Sequence, residues 1–261
     1  MYYYIYDTYL SEKKYEKTLD KIKTRLLDLE IQGKHERLTL LKSIDELIID
    51  ELKKGTSTVI VVGNDKTFLK VINTAARNNI TIGIIPIGPE NDIARTLGIP
   101  PEEAACDILA ARKIVRFDLG KIKDQYFFSN LSINKNLTRL AVVKDTYKIT
   151  PSAECVELNI YNFFYNSDKS LIDKKLEQVL PQDGILELAF KVKEKSKGWF
   201  KKAEGLLVDS VIKGKKFEVK SFEYIPTLLD GLRVIKTPFV VEIEKQKLAV
   251  IVGKDRLINV D

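Results

Sequence analysis

Histidine and cysteine are almost absent from the sequence, and this scarcity excludes several kinds of active site. His35 is the only histidine, which removes Ser-His-Asp catalysis and histidine-based zinc sites from consideration. Cys106 and Cys155 are the only cysteines, and neither has a metal-binding partner at a useful spacing. We therefore expect two buried, reduced thiols and a histidine that lies at the start of a strand.

Long hydrophobic runs are also missing. No apolar stretch approaches the roughly 20 residues that cross a bilayer, and the N-terminal "MYYYIYDTYLSEKK" has no basic segment of the kind that begins a signal peptide. With 44% hydrophobic and 31% charged residues, a disordered chain is disfavoured. We expect a soluble, cytoplasmic protein that buries about three quarters of its unfolded surface.

Positive charge is concentrated in one segment. Residues 191–220 contain ten lysines against four acidic residues, which accounts for the net charge of +6. A helical arrangement here would place Trp199 and a lysine cluster beside an apolar face made of Phe200, Ala203, Leu207 and Val211. Such a helix is typical of peripheral contact with an anionic membrane. The alternative is a helix packed on the core with its lysines in solvent, and we expect no nucleic-acid partner.

The first part of the sequence alternates between strand and helix patterns. Strands are predicted at "YYYIY", "ERLTLL", "STVIVV" and "ITIGIIP", with helical periodicity between them. Ser43 and Glu46 form a capping box that opens one helix, while Pro89 suits the first turn of a later helix and Gly98 its end. Repeated strand-helix units predict a parallel sheet with right-handed crossovers.

After about Lys121 the pattern changes to short, alternating strands such as "YFFSNLSI", "ILELAFKV" and "PFVVEIE". The predicted fold is therefore α/β plus β: an N-terminal Rossmann-like domain at residues 1–123, then a C-terminal β-sandwich at 124–250. Residues 251–261 are expected to form a strand that returns to the first domain. Edge strands of the β-rich part offer surfaces on which a homodimer could form.

Two polar turns follow the buried strands of the first part. They are "GNDKT" (63–67) and "GPEND" (88–92), and each has one glycine followed by polar residues. In α/β sheets, ligands bind at the carboxyl ends of strands, where helix N-termini present free N–H groups. The alternative is that Asn64, Asp65, Asn91 and Asp92 are only helix caps.

The two turns resemble the signatures of a known family. "VVGNDKTFLKVIN" is similar to the GGDGT-containing strand-turn-helix of the diacylglycerol kinase and sphingosine kinase catalytic domain, and "IIPIGPENDIARTLGIP" is similar to that family's G-T-G-N-D-F-A-R segment. "DILAARKIVRFDLGKIKDQYFFSN" and "LPQDGILELAF" resemble later family segments in the same order. NAD kinases share the first motif but lack the asparagine-aspartate-alanine-arginine run of the second.

The resemblance implies a two-domain kinase that uses ATP and Mg²⁺ to phosphorylate the hydroxyl of a lipid or another small alcohol. It implies a structural magnesium ligand at Asp183, a catalytic role for Asp65 and a general base at Glu244. The residues that it places at the nucleotide are Asp7, Gly63, Asn64, Asp65, Lys66, Thr67, Gly88, Asn91, Asp92 and Arg95.

The sequence departs from the family in each of the turns that handle phosphate, although other positions of both motifs are retained. Asp7 stands near the family's N-terminal asparagine, and Asn64 and Lys66 replace two glycines. Pro89 and Glu90 replace a threonine-glycine pair. A carboxylate about 4 Å from a phosphate oxygen would cost on the order of 4 kcal/mol, so Glu90 is the most serious of these changes.

The general base is also altered. The family's aspartate-glycine-glutamate aligns with "EKQ", which makes Glu244 the candidate, although Glu244 could equally be a turn residue in a hairpin. Two hypotheses follow. One is an active lipid kinase, and the other is a degenerate kinase that binds nucleotide, lipid or a protein partner without phosphoryl transfer.

Overall fold

The computed structural model describes residues 1–39, 42–165, 176, 179–193 and 206–256. The chain divides into two compact units: an α/β unit made of Met1–Phe117 with Gln246–Asp261, and a β unit made of Asp118–Lys245. These boundaries lie five or six residues before the positions 123 and 250 given by the sequence pattern. Both fall inside strands, Ile114–Ile122 and Phe239–Ile251, where periodicity does not change.

The α/β unit is built on a parallel sheet. Its strands are β1 (Tyr2–Tyr6), β2 (Gly33–Arg37), β3 (Thr58–Gly63) and β4 (Thr81–Pro86), and its helices are α1 (Glu16–Asp28), α2 (Ile44–Leu52), α3 (Asp65–Asn78), α4 (Asp92–Thr96) and α5 (Ala105–Ala111). The strand order is β2-β1-β3-β4, and the C-terminal part of β16 (Phe239–Ile251) pairs in parallel with β4.

Local sequence explains most of these elements. Every residue of the central strand β3 is buried, as expected for a parallel strand covered on both faces. The predicted capping box of Ser43 and Glu46 is present at the start of α2. Gly98 adopts a positive φ after α4, which only glycine does readily.

Two local predictions were wrong. The second strand occupies Gly33–Arg37 rather than "ERLTLL", because it pairs with β1 from Tyr2↔Gly33 onward, and so His35 lies within the strand. The helix expected to begin near Pro89 begins at Asp92 instead. Glu90 has a left-handed backbone, so the chain cannot be helical there.

The β unit contains two antiparallel sheets, as predicted for a β-sandwich. One sheet has the order β12 (Leu206–Gly214), β11 (Leu186–Lys193), β10 (Cys155–Tyr161), β7 (Asn130–Ile133), β14 (Pro226–Leu229) and β15 (Arg233–Lys236). The other sheet joins β9 (Tyr147–Ile149), β8 (Leu140–Lys144) and β13 (Lys216–Ser221) to the N-terminal part of β16. Both sheets contribute to one apolar core, which includes Leu158, Leu188, Phe217 and Val241. The remaining described strands are β5 (Ile114–Ile122) and β6 (Gln125–Phe127), which pair with each other.

The helix predicted around Phe200–Val211 was wrong for the part that the structure describes. Leu207 and Val211 lie in β12, which pairs with β11 over its full length. Backbone pairing with a neighbouring strand overrides the weak helical pattern of an isolated segment. Trp199, Phe200 and Ala203 lie outside the described residues. Among the described helices, none is long and apolar enough to span a membrane.

Candidate active site

The first turn is closed by its own side chains. Asn64 caps α3, and its Oδ1 accepts a hydrogen bond from Thr67 N–H (3.4 Å). The Thr67 hydroxyl also donates to Asp7, which follows β1. A Cβ atom on Gly63 would lie 3.0 Å from Thr67 Oγ1, so glycine leaves room for the Thr67 side chain. Asp7, Gly63, Asn64 and Thr67 are therefore brought together, with Asn64 serving as the cap that the sequence left open as an alternative.

Asp65 joins the first turn to the second. Its Oδ2 accepts a hydrogen bond from Ile93 N–H at the start of α4 (2.9 Å), and its own N–H donates to the carbonyl of Glu90 (3.0 Å). Burial raises the pKa of the Asp65 carboxyl to about 6, although N–H groups of Ile93 and its neighbours oppose the shift. Its other oxygen, Oδ1, is buried and has no hydrogen-bond partner in the described part of the chain.

The second turn depends on two left-handed residues. Gly88 has φ +78° and lies beneath Tyr9 and Tyr15, so that a Cβ atom would approach the Tyr15 hydroxyl to 3.1 Å. Glu90 has φ +64° although it carries a side chain. Asn91 Nδ2 donates to the Gly88 carbonyl (2.6 Å), and this leaves Asn91 Oδ1 buried without a partner among the described residues.

Two departures from the family pattern contact each other. Lys66 Nζ lies 2.8 Å from Glu90 Oε2, and both side chains are more than half exposed. An exposed ion pair of this kind adds less than about 1 kcal/mol to stability. Its consequence is electrostatic, since the Lys66 ammonium offsets the negative charge that Glu90 brings to the turn.

A cavity of about 800 Å³ opens beside the second turn, within the α/β unit. Asn91 and Arg95 line it, and Arg95 also pairs with Asp92 at 3.3 Å. Its wall is apolar at Ile99, Pro100 and Ile108, and its cationic groups are Arg95, Lys113 and Lys254. Apolar walls with a few polar groups are typical of small-molecule sites, and the excess of positive charge favours an anionic ligand.

Glu244 belongs to the β unit and lies inside strand β16. The alternative of a hairpin turn at this position was therefore wrong. Glu244 Oε2 lies 2.7 Å from Lys121 Nζ and accepts a hydrogen bond from the Tyr126 hydroxyl (3.1 Å). Both contacts use Oε2, so Lys121 and Tyr126 compete with a substrate hydroxyl for that oxygen of the carboxylate.

Asp183 also lies in the β unit, in the turn before β11. Its Oδ1 accepts a hydrogen bond from Ile185 N–H (2.9 Å), and the adjacent Gly184 N–H donates to buried Asp118 (2.8 Å). Burial raises the pKa of the Asp183 carboxyl, the Asp118 carboxylate adds to the shift, and Lys213 opposes it. Negative charge thus accumulates at a turn that the resemblance assigns to magnesium.

A buried aspartate at Asp230, followed by Gly231, was not among the predicted site residues. Both residues have positive φ and form the turn between β14 and β15. The Asp230 carboxylate accepts hydrogen bonds from the backbone N–H groups of Phe128 (2.9 Å), Ser129 (2.7 Å) and Asn130 (3.2 Å). Burial raises the pKa of the Asp230 carboxyl to about 6. An Asp-Gly dipeptide between two strand patterns is a hairpin signal that could have revealed it.

The described residues contain no cluster of three or more side chains of the types that hold metals by themselves. In the two polar turns, Asp65 Oδ1 and Asn91 Oδ1 are buried without hydrogen-bond partners among the described residues, and such oxygens are good ligands for a hard cation. Mg²⁺ commonly takes one or two protein oxygens and completes its coordination with water and phosphate. The residues of the two turns fit that pattern.

Sequence comparison finds similar proteins over part of the chain. Residues 2–122 match the family described as diacylglycerol kinase catalytic domain. A Staphylococcus carnosus protein named "Putative lipid kinase" is 28% identical over 191 residues, which cover 62% of each chain. A Bacillus subtilis diacylglycerol kinase is 38% identical over 86 residues, which are 31% of this chain and 28% of that kinase.

Structural comparison extends the likeness to nearly the full chain. The crystal structure of a diacylglycerol kinase from Bacillus anthracis covers 97% of each chain with a TM-score of 0.74 and 19% identity. At that identity the likeness shows the fold. The predicted resemblance and the predicted fold class are thus both confirmed. The sequence alignment with the Staphylococcus carnosus relative spans 62% of that protein, which is less than two thirds of its length.

Proposed function

We propose that this protein, whose residues 2–122 match the diacylglycerol kinase catalytic domain, transfers the γ-phosphate of ATP to a lipid hydroxyl. The contact between the two polar turns carries the proposal, because Asp65 binds Ile93 N–H and the Glu90 carbonyl. Two motifs that are distant in sequence form one site at the carboxyl edge of a parallel sheet, where α/β folds bind phosphates.

The nucleotide would lie along the second turn. Lys66 would place a point charge on a phosphate and Arg95 would supply a planar pair of donors. The cavity of about 800 Å³ beside Asn91 and Arg95 has room for the nucleoside. Asp7 and Thr67 would hold the first turn in position rather than contact the ligand, since each already binds the other.

Asp65 and Asn91 would each hold Mg²⁺ through Oδ1, which has no hydrogen-bond partner among the described residues. A bound cation supplies neutralisation of the phosphate charge during transfer. It would also stabilise the ionised form of Asp65, whose pKa is raised by burial. Asp183 would hold a second, structural cation, as the resemblance implies.

Glu244 is our candidate for the general base, and Asp230 is the alternative that the fold adds. Glu244 is partly exposed and so can reach a substrate. Asp230 is buried and already accepts three N–H groups, which suits a structural role better. Comparing Glu244→Gln with Asp230→Asn separates them: loss of the base lowers kcat about a hundredfold with an unchanged melting temperature, whereas loss of a structural carboxylate lowers the melting temperature.

The proposal is tested by measuring transfer of labelled phosphate from ATP to diacylglycerol and to a mixed lipid extract, with and without Mg²⁺. We expect a lipid product that depends on Mg²⁺ and is strongly reduced in Asp65→Asn. Asp50→Asn is the matched control, because it removes the same charge from an exposed position in α2 that is not part of the proposed site. Product formation no higher than in an enzyme-free blank would refute catalysis.

A second candidate function is a kinase-fold protein that binds nucleotide, lipid or a protein partner without phosphoryl transfer. This candidate is favoured because polar side chains of the two turns already bind each other or the backbone. Asn64 caps α3, and Lys66 forms an ion pair with Glu90. Calorimetric titration with ATP, ADP and Mg²⁺ addresses this candidate. Tight binding without turnover would support a nucleotide-binding role, and absence of binding would leave the lipid or protein partner.

A further inference from the structure

Two aromatic side chains project from the connection between β13 and β14 in the β unit. Phe222 is completely exposed and Tyr224 is 77% exposed, whereas the next residue, Ile225, is buried in the core. Phe222 is the most exposed of the large hydrophobic side chains in the described part of the chain. One exposed apolar residue is normal, but two in a three-residue span form an apolar tip. We call Phe222 and Tyr224 the aromatic tip.

The backbone under the aromatic tip is braced by hydrogen bonds. The carbonyl of Glu223 accepts from Ser221 Oγ (2.6 Å) and Thr237 Oγ1 (3.2 Å), and the same Thr237 hydroxyl accepts from Ile225 N–H (2.9 Å). Thr237 is therefore hydrogen-bonded to Glu223 and to Ile225, the residues on either side of Tyr224. A tip that is already ordered loses little conformational entropy when it contacts a partner.

The acidic residue within the tip is neutralised. Glu223 accepts hydrogen bonds from Asn136 Nδ2 and Arg139 Nη1, both at 2.9 Å. Lys135 lies on the same neighbouring loop and is exposed, so the charged groups beside the tip carry an excess of one positive charge. The tip thus combines exposed rings with a weakly cationic surrounding.

We propose that the aromatic tip docks the protein on a lipid bilayer that contains anionic lipid, with Phe222 and Tyr224 in the interfacial region. Aromatic residues are favoured at that depth because their rings are apolar while a tyrosine hydroxyl stays wet. Two side chains offer far less than the roughly 800 Å² per partner of a stable protein interface, whereas shallow insertion needs no more. The inference rests on the proposed function only for the reason that a lipid substrate lies in a membrane.

Co-sedimentation with vesicles tests the docking without nucleotide or turnover. The double variant Phe222→Ser/Tyr224→Ser is compared with wild type on vesicles of phosphatidylcholine alone and of phosphatidylcholine with phosphatidylglycerol. We expect wild type to bind the anionic vesicles better, and the double variant to lose at least about tenfold in partitioning.

Tyr147→Ser is the matched control. Tyr147 is also an exposed tyrosine of the β unit (69%), but it pairs with Lys144 at one end of β8, whereas Ser221 pairs with Leu140 at the other. The control should bind vesicles as wild type does. Because all three replaced side chains are exposed, the variants should keep the melting temperature of wild type.

Fluorescence provides a second measurement. In Phe222→Trp, anionic vesicles should shift the added tryptophan emission to shorter wavelength, and brominated lipid should quench it, relative to wild type with Trp199 alone. Equal partitioning of the double variant and wild type would overturn the proposal, as would no wild-type binding to either vesicle. Dissociation of a dimer by the double variant would overturn it in favour of a protein contact. Kinase activity on a water-soluble, short-chain acceptor should be the same in wild type and in the double variant. Absence of this activity from both proteins would count against the proposed function and not against the docking.

Discussion

Replacing Asp65 with asparagine should raise the free energy of unfolding at neutral pH. Burial raises the pKa of this carboxyl from 3.8 to about 6, so the folded protein binds the proton more tightly than the unfolded chain. Stability therefore falls as pH rises from about 4 to above 6, and the full cost is present at pH 7. A shift of about two units corresponds to about 2 to 3 kcal/mol, which is the upper limit of the gain.

The asparagine variant keeps the main contact. The amide oxygen of asparagine can still accept the hydrogen bond from Ile93 N–H that Oδ2 of Asp65 accepts. The uncharged amide removes the negative charge of a carboxylate whose other oxygen, Oδ1, has no partner among the described residues. Urea unfolding from pH 4.5 to 7.5 would measure the difference, with Asp50→Asn as the exposed control. The gain should shrink towards pH 4.5. A pH-independent difference, or a variant less stable than wild type at pH 7.5, would refute the argument that Asp65 is held ionised against its burial cost.

Three further predictions concern the second turn, the β unit and a helix cap. Glu90→Gly should tighten ATP binding about tenfold in calorimetry, because a charge worth on the order of 4 kcal/mol is removed but is already offset by Lys66. Glu102→Gly, another glutamate with positive φ, should share any backbone relief without that effect. Glu187→Gln should be more stable than wild type above pH 8 by about 2 to 4 kcal/mol, and equal below pH 4.5, since burial raises the pKa of Glu187 from 4.5 to about 8. Ser43→Ala should cost about 1 kcal/mol in thermal unfolding, through loss of the capping box of α2.

Features that depend on short-range chemistry were predictable from the sequence. The apolar run of β3, the stripe of α3 and the capping box of Ser43 follow from residues within one turn or strand of each other. The two polar turns were also found, because glycine and small polar residues mark the end of a strand and the start of a helix. Their order along the chain carried the family resemblance.

Contacts between distant segments could not be predicted in this way. Leu207 and Val211 fit a helical face, and only the partner strand β11 makes their segment a strand. Asp230 binds the N–H groups of residues about a hundred positions earlier, which no local pattern encodes. The pairing of Lys66 with Glu90, which changes the meaning of both departures from the family, requires two turns to meet at one sheet edge.

The sequence by itself determined the strand-helix order, the caps and the two turns, because hydrogen bonding and hydrophobic periodicity act over a few residues. Tertiary structure alone decided that Asp65 binds the start of α4, and that Oδ1 of Asp65 and Oδ1 of Asn91 have no hydrogen-bond partner among the described residues. Those outcomes depend on which groups the fold brings within hydrogen-bond distance, and burial then sets the charge that each group can carry.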